Sequence, residues 1–245
     1  MDNITSVTDL HIHIVPCYDD GAEDYGEAIK MLDAEYNSGV RRIFCTSHSG
    51  HSFREAERYR LQFETIKMVA NVSYPDITLY KGNEILCSDE YVDDVLYGLE
   101  KGAFNTLGDS KCVLVELFYN VKPPEARSVA EAFLKNGYTP ILAHVERYDP
   151  LFDEGESAIR ELVDMGCLIQ VNAGSFVCEW QADYEDRARM LLSSGLIHFV
   201  GTDAHNTTYR SPNMDIAIDY IRKNASPEYA YDILTGNTDK YILNS

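Results

Sequence analysis

Asp9-Leu-His-Ile-His-Ile-Val-Pro-Cys-Tyr-Asp-Asp-Gly21 is the stretch on which the reading of this chain turns. In an extended segment successive side chains alternate between faces, which aims His11 and His13 one way and sets Leu10, Ile12 and Ile14 against the other. Two imidazoles at one end of a strand are half of a metal site. Gly21 lets the backbone fold back within a short turn so that a carboxylate of Asp19-Asp20 reaches the same place.

Working outward, the hydrophobic pattern predicts strands over residues 7–13, 40–46, 77–81, 112–115, 139–143, 167–171 and 197–200. Helices are expected over 22–38, 55–72, 89–99, 123–136, 156–165 and 183–194, with a helical tail from 211 divided near Ser226-Pro227. Gly39, Gly137, Gly166 and Gly195 are the expected stops of four of them. Strand and helix alternate seven times, which argues for an α/β fold with a parallel sheet. At 245 residues a closed, TIM-like barrel fits better than an open sheet, as one domain over 1–245.

The polar residues then sort themselves. His11, His13, His48, Glu84, Glu116, His144, Asp203 and His205 all fall at or just beyond the C-terminal end of a predicted strand. In a (β/α) barrel that is one rim, the rim on which active sites are built. Imidazole and carboxylate donors without cysteine suit Mn²⁺, Fe²⁺ or Zn²⁺. Eight or nine candidate ligands exceed what one ion uses, so two or three ions with a bridging carboxylate are implied. Such clusters polarise a phosphoryl oxygen and lower the pKa of a bound water, which makes hydrolysis by metal-activated hydroxide the expected chemistry.

Composition narrows the partners. A net charge of −19 argues against a nucleic-acid backbone or an anionic membrane surface, which are bound through basic patches. No apolar run approaches the roughly 20 residues that span a bilayer, and the first residues lack a signal-peptide pattern, so a soluble, cytoplasmic protein without membrane insertion is expected. The six cysteines form no Cys-x-x-Cys pair. Rival catalytic plans fail on the sequence: there is no Cys-x5-Arg loop, no Gly-x-Ser-x-Gly elbow, no Gly-Lys dipeptide and no Gly-x-Gly-x-x-Gly.

Asp-Leu-His-Ile-His, Thr-Ser-His48, Gly-Asn-Glu84, Val-Glu116, Ala-His144-Val-Glu-Arg, Gln-Val-Asn and Thr-Asp203-Ala-His205-Asn, in this order, resemble the polymerase and histidinol phosphatase (PHP) superfamily. Asp-Asp-Gly21 and His-Val-Glu-Arg-Tyr148 are most similar to the bacterial metal-dependent protein-tyrosine phosphatases of capsule and exopolysaccharide operons. The resemblance implies a distorted (β/α)₇ barrel with three divalent ions, commonly manganese or iron. It implies that His11, His13, Glu84 and Asp203 hold one ion, that Glu84 bridges to a second held with Glu116 and His144, and that Asp20, His48 and His205 hold the third. It implies Arg147 and Arg210 as phosphate ligands and a phosphotyrosine protein, a bacterial tyrosine kinase, as partner. The segment after His48 varies within the family, and His51 is one candidate for the general acid, a metal-bound water the other.

Two alternatives accompany that reading: a small-molecule phosphatase such as one acting on histidinol phosphate, and a non-catalytic metal-binding regulatory module. Asn172, Ser175 and Asn206 read as caps or turn formers, and Tyr148 as a packed loop aromatic or a neighbour of a substrate ring. The oligomeric state is not legible in the sequence.

Overall fold

A computed structural model describes residues 6–50, 52–177 and 182–244. β1 (Val7–Ile12) is buried along its whole length, as expected of a strand covered on both faces in a parallel sheet. It pairs in parallel with β2 (Val40–Cys45), and β2 pairs in parallel with β3 (Thr78–Lys81). A second parallel run follows the order β4 (Glu84–Cys87), β5 (Cys112–Leu117), β6 (Thr139–Leu142), β7 (Leu168–Asn172) and β8 (Phe199–Gly201).

The connections are α1 (Tyr25–Asn37), α2 (Phe53–Ser73), α3 (Val92–Lys101), α4 (Pro123–Lys135), α5 (Ser157–Met165) and α6 (Ala182–Ser193). α7 (Met214–Asn224) and α8 (Pro227–Tyr231) form the tail, divided at Ser226-Pro227 as the sequence suggests. Local chemistry accounts for the ends. The Asp24 carboxylate accepts the Glu27 amide at 2.8 Å to open α1, and Gly39, Gly137, Gly166 and Gly195 all adopt positive φ where helices stop.

The sequence reading needs two corrections. The third predicted strand is found as β3, but a further strand that the sequence reading lacks follows it at once: β3 ends at Lys81 and β4 starts at Glu84. Asn83 interrupts the ladder because its side chain satisfies other backbone groups. Its amide donates to the Ser47 carbonyl at 3.0 Å, and its carbonyl oxygen accepts the Asn105 amide at 3.0 Å. Glu84 therefore lies just beyond β3, as expected, and also opens β4.

The second correction concerns the opening motif. Between Asp9 and Ile12, β1 advances three residues while β2 advances only from Ile43 to Cys45, a bulge that breaks strict alternation. Leu10 consequently joins one apolar cluster, with Phe44, Leu114, Ile141, Leu168 and Phe199. Ile12 and Ile14 join the larger one that lies between strands and helices.

The two strand runs meet at both ends. A parallel bridge links Ile12 to Ala204, with the Asp203 amide donating to the His11 carbonyl at 2.6 Å and the His13 amide to the Ala204 carbonyl at 2.9 Å. A second bridge links His48 to Glu84, and the Glu84 amide donates to the Thr46 carbonyl at 3.0 Å. Both junctions lie among the candidate site residues.

Candidate metal centre

The bulge in β1 and the tight turn after it bring the first motif together. Gly21 is required there because a Cβ would stand 2.1 Å from the His13 carbonyl oxygen. Gly201, at the end of β8, packs as closely on β1: a Cβ would lie 2.4 Å from that of His11.

Four atoms from three distant segments converge on one point. His11 Nε2 and His13 Nε2 lie 3.2 Å apart. The Glu84 Oε2 oxygen is 3.3 Å from the first and 3.2 Å from the second, and Asp203 Oδ1 is 3.6 Å from each. Donors held about 2.1 Å from one ion in a tetrahedron stand roughly 3.4 Å from each other, so this spacing fits a cation at the centre.

Glu84 extends the cluster on its other oxygen. Oε1 lies 2.9 Å from His144 Nε2, and Glu116 Oε1 is 3.7 Å from that same nitrogen. A third group forms round Asp20, whose Oδ1 is 3.5 Å from His48 Nε2 and 3.4 Å from His205 Nε2. His48 Nδ1 returns to Glu84 Oε2 at 3.2 Å. The structure thus gathers all nine sequence-predicted ligands around Glu84. His11, His13 and Glu84, His13 with Asp20, His48 and His205, and His48 with Glu84 and Glu116 are groups able to hold a metal ion.

The imidazoles are preset as ligands. His13 Nδ1 lies 2.8 Å from Asp19 Oδ2, His11 Nδ1 lies 3.2 Å from Gln170 Oε1, and His205 Nδ1 lies 2.9 Å from the Asp203 carbonyl oxygen. Each acceptor holds the proton on Nδ1 and leaves the Nε2 lone pair facing the cluster. His205 Nε2 is buried and makes no hydrogen bond.

Electrostatics follow from this crowding. Burial alone would raise the Glu84 carboxyl, but the His11, His13 and His144 imidazoles hold it well below the usual range. Burial and the neighbouring Glu84 carboxylate push Glu116 up. Burial, and then the neighbouring His13 ring, lower His205 to about 3. Asp203 is the meeting point of both arginines: Arg147 Nη2 is 2.9 Å from Oδ2, and Arg210 Nη2 is 2.9 Å from Oδ1.

Backbone geometry is unusual at the same place. His144 and Asp203 adopt left-handed φ values of 33° and 52°, a conformation that costs a non-glycine residue about 1 kcal/mol or more and clusters at functional sites.

Several supports escaped the sequence reading. Gln170 Oε1 also accepts the His144 amide at 2.8 Å, and Gln170 Nε2 donates to Asn172 Oδ1 at 2.9 Å. Asn172, read as a cap, instead donates to Asp203 Oδ2 at 2.9 Å. Ser175 donates to buried Glu146 at 2.7 Å, whereas Asn206 is the expected turn former, its Oδ1 accepting the Thr208 and Arg210 amides. The alternating pattern at Gln170-Val-Asn172 carried a signal, two polar residues two apart on a buried strand. Tyr148 is wholly buried, accepting the Leu117 amide at 2.9 Å, and does not border the cluster's open side. His51 lies outside the described residues, and its suggested role with it.

Comparison with known proteins places this geometry. Residues 7–243 match the family model described as capsular polysaccharide synthesis, CpsB/CapC. The tyrosine-protein phosphatase CpsB of Streptococcus pneumoniae is 34% identical over 242 residues, covering 96% of this chain and 98% of that one. The tyrosine-protein phosphatase YwqE of Bacillus subtilis (strain 168) is 29% identical over 238 residues, covering 96% and 91%. A crystal structure from the work on B. subtilis YwqE and S. pneumoniae CpsB, described there as unique metal-dependent tyrosine phosphatases, superposes with a TM-score of 0.84 at 28% identity, over 97% of this chain and 95% of the other. The chain belongs to the CpsB/CapC family of capsular polysaccharide synthesis.

Proposed function

We propose that this protein is a metal-dependent protein-tyrosine phosphatase of capsule or exopolysaccharide assembly, hydrolysing phosphotyrosine on a partner protein, a tyrosine kinase, in the cytoplasm. The observation that carries the reading is the convergence of His11, His13 and His205 Nε2 atoms on Glu84, Asp203 and Asp20, each ring held from behind through Nδ1. Membership of the family and the printed activity of CpsB and YwqE support it.

In this reading His11, His13, Glu84 and Asp203 hold one divalent ion, Glu84 with Glu116 and His144 a second, and Asp20, His48 and His205 a third. Manganese, iron and zinc all suit the donor set. Ions bound there supply Lewis acidity and a water of lowered pKa. The chain's own part is positioning and charge. Arg147 and Arg210 flank Asp203 and are placed to take the non-bridging oxygens of a phosphate. Asp19 and Gln170 fix the tautomers of His13 and His11. Tyrosinate, with a reference pKa of about 10, leaves without the strong acid assistance an alkoxide needs.

We also infer that the strands close into one ring, with β3 and β4 acting as successive halves of a single stave, which makes the (β/α)₇ count. The bridges at Ile12–Ala204 and His48–Glu84 support it, as does a single apolar cluster drawn from β1, β2, β5, β6, β7 and β8.

The test is a side-by-side assay of a phosphotyrosine peptide and histidinol phosphate after Mn²⁺ loading. The expected result is turnover of the peptide, abolished by chelation and in His13→Ala and Asp203→Ala. Preference for histidinol phosphate would favour a metabolite phosphatase, and no turnover of any phosphomonoester with metals bound would favour a regulatory module.

A further inference from the structure

A cavity of about 830 Å³ opens beside the candidate metal centre, and His48, Glu84 and Glu116 form part of its wall. The opposite wall comes from β4, the loop after β5, and α3 with its approach. Leu86, Tyr91, Tyr97 and Phe118 stand there 45%, 55%, 60% and 44% exposed, and Phe104 lines the cavity beside Gly98. We propose that this groove is the site of sequence specificity: it takes apolar residues flanking the phosphotyrosine of a protein segment, with Leu86, Tyr97 and Phe118 as the specificity determinants. This rests on the phosphatase reading above and goes beyond it to the substrate's neighbouring residues.

Continuity with the centre is the first argument. An ester whose phosphorus lies among His48, Glu84 and Glu116 has this groove as the adjoining space for its organic part. Size is the second. Cavities of roughly 300–1,000 Å³ hold whole drug-sized ligands, so a single phenol ring leaves most of this one to its neighbours. Composition is the third. Large apolar side chains gathered on one face mark a binding surface, whereas scattered single ones do not.

Charge selects among phosphotyrosine segments. Among the described residues no lysine or arginine lines the groove, and the one charged residue there apart from the candidate centre is Asp94. A smaller cavity of about 320 Å³ shares Tyr91 and Phe118 with it and adds Asp89, Glu90 and Glu125. Acidic flanks are repelled there, while a lysine or arginine beyond the apolar residue is matched. The space is also kept open locally: a Cβ on Gly98 would strike the Phe104 ring at 2.4 Å, so only glycine lets that ring lie against α3.

The experiment compares Mn²⁺-loaded wild type with Tyr97→Ser, Leu86→Ser and the double variant. Three substrates are used: a phosphotyrosine peptide with leucines beside the phosphotyrosine and lysines beyond, the same peptide with aspartates at all flanking positions, and p-nitrophenyl phosphate. The expected result is that wild type prefers the leucine–lysine peptide by about tenfold in kcat/KM. The double variant is expected to lose most of that preference, through KM, relative to its rate on p-nitrophenyl phosphate. Equal rates on the two peptides in wild type, or a preference the double variant keeps, overturn the groove assignment and leave the phosphatase reading intact. Turnover of p-nitrophenyl phosphate with neither peptide hydrolysed overturns both.

Discussion

At the scale of single residues, the site is set by the groups behind the candidate ligands as much as by the ligands. Asp19 takes His13 Nδ1 at 2.8 Å on one oxygen and the His48 and Gly21 amides on its two, so it holds three parts of the site at once. Replacing such a carboxylate typically costs about 10–100-fold in metal affinity or activity. Asp19→Asn is accordingly expected to lose activity in that range at limiting Mn²⁺ and to regain part of it at high Mn²⁺, followed by titrating the metal. A variant as active as wild type at limiting metal would contradict that role.

Glu35 is the residue no pattern announced. It is fully buried in α1, and burial together with the neighbouring Asp9 carboxylate pushes its carboxyl well above the ordinary range. Asp9 is itself raised by burial, against which the His11 amide, the Thr202 amide and the Thr202 hydroxyl that it accepts work in favour of its charged form. A raised carboxyl pKa means that the folded chain keeps a proton the unfolded chain releases above about pH 4.5, so stability falls as pH rises past that value. Glu35→Gln removes the linkage. Its melting temperature is expected to fall less than that of wild type between pH 5 and 8, with parallel curves as the contrary outcome.

At the scale of elements, the strand ends carry the chemistry and their mutual registration is vulnerable to acid. Just before β8, His198 Nδ1 accepts the Ile169 amide of β7 at 3.2 Å, and its own amide donates back to the Ile169 carbonyl at 2.9 Å. The first bond requires a neutral ring, and burial lowers the pKa of His198 to about 4. The folded state resists protonation that the unfolded chain accepts below about pH 6.5. Stability is therefore full above that pH and falls as the pH drops towards 4, by up to roughly 1.4 kcal/mol per unit. His198→Asn, with an oxygen in place of Nδ1, is expected to flatten the acid side of the denaturant-midpoint profile. An unchanged slope would remove His198 as the cause.

Across the whole molecule, Asp20, Glu84, Glu116 and Asp203 gather within a chain of net charge −19, so cations bound among them are expected to add to the fold's stability. Each ion that binds only the folded state adds about 2.7 kcal/mol at a concentration 100 times its Kd. Chelation is expected to lower the melting temperature by several degrees together with activity, and Mn²⁺ to restore both. Loss of activity with an unmoved melting temperature would show that the centre does not tie the strand runs together. Among the described residues no helix is long and apolar enough to cross a membrane.

The sequence by itself determined the alternation of strands and helices, the helix stops at Gly39, Gly137, Gly166 and Gly195, and the placing of His11, His13, His48, Glu116, His144, Asp203 and His205 at or just beyond strand ends. These were readable because strand-end position is a local property: a polar residue closing an apolar run declares itself within a few neighbours. Only the tertiary structure decided the bulge that separates Leu10 from Ile12, the extra strand β4 after Asn83, the supports Gln170 and Asn172, the buried Glu35 and the groove beside α3. Each of these depends on a partner far away in the chain, such as Gln170 with His11, 159 residues apart. Local periodicity cannot encode a distance of that kind; it is fixed when the strands pack and the bulge in β1 sets which way its side chains face.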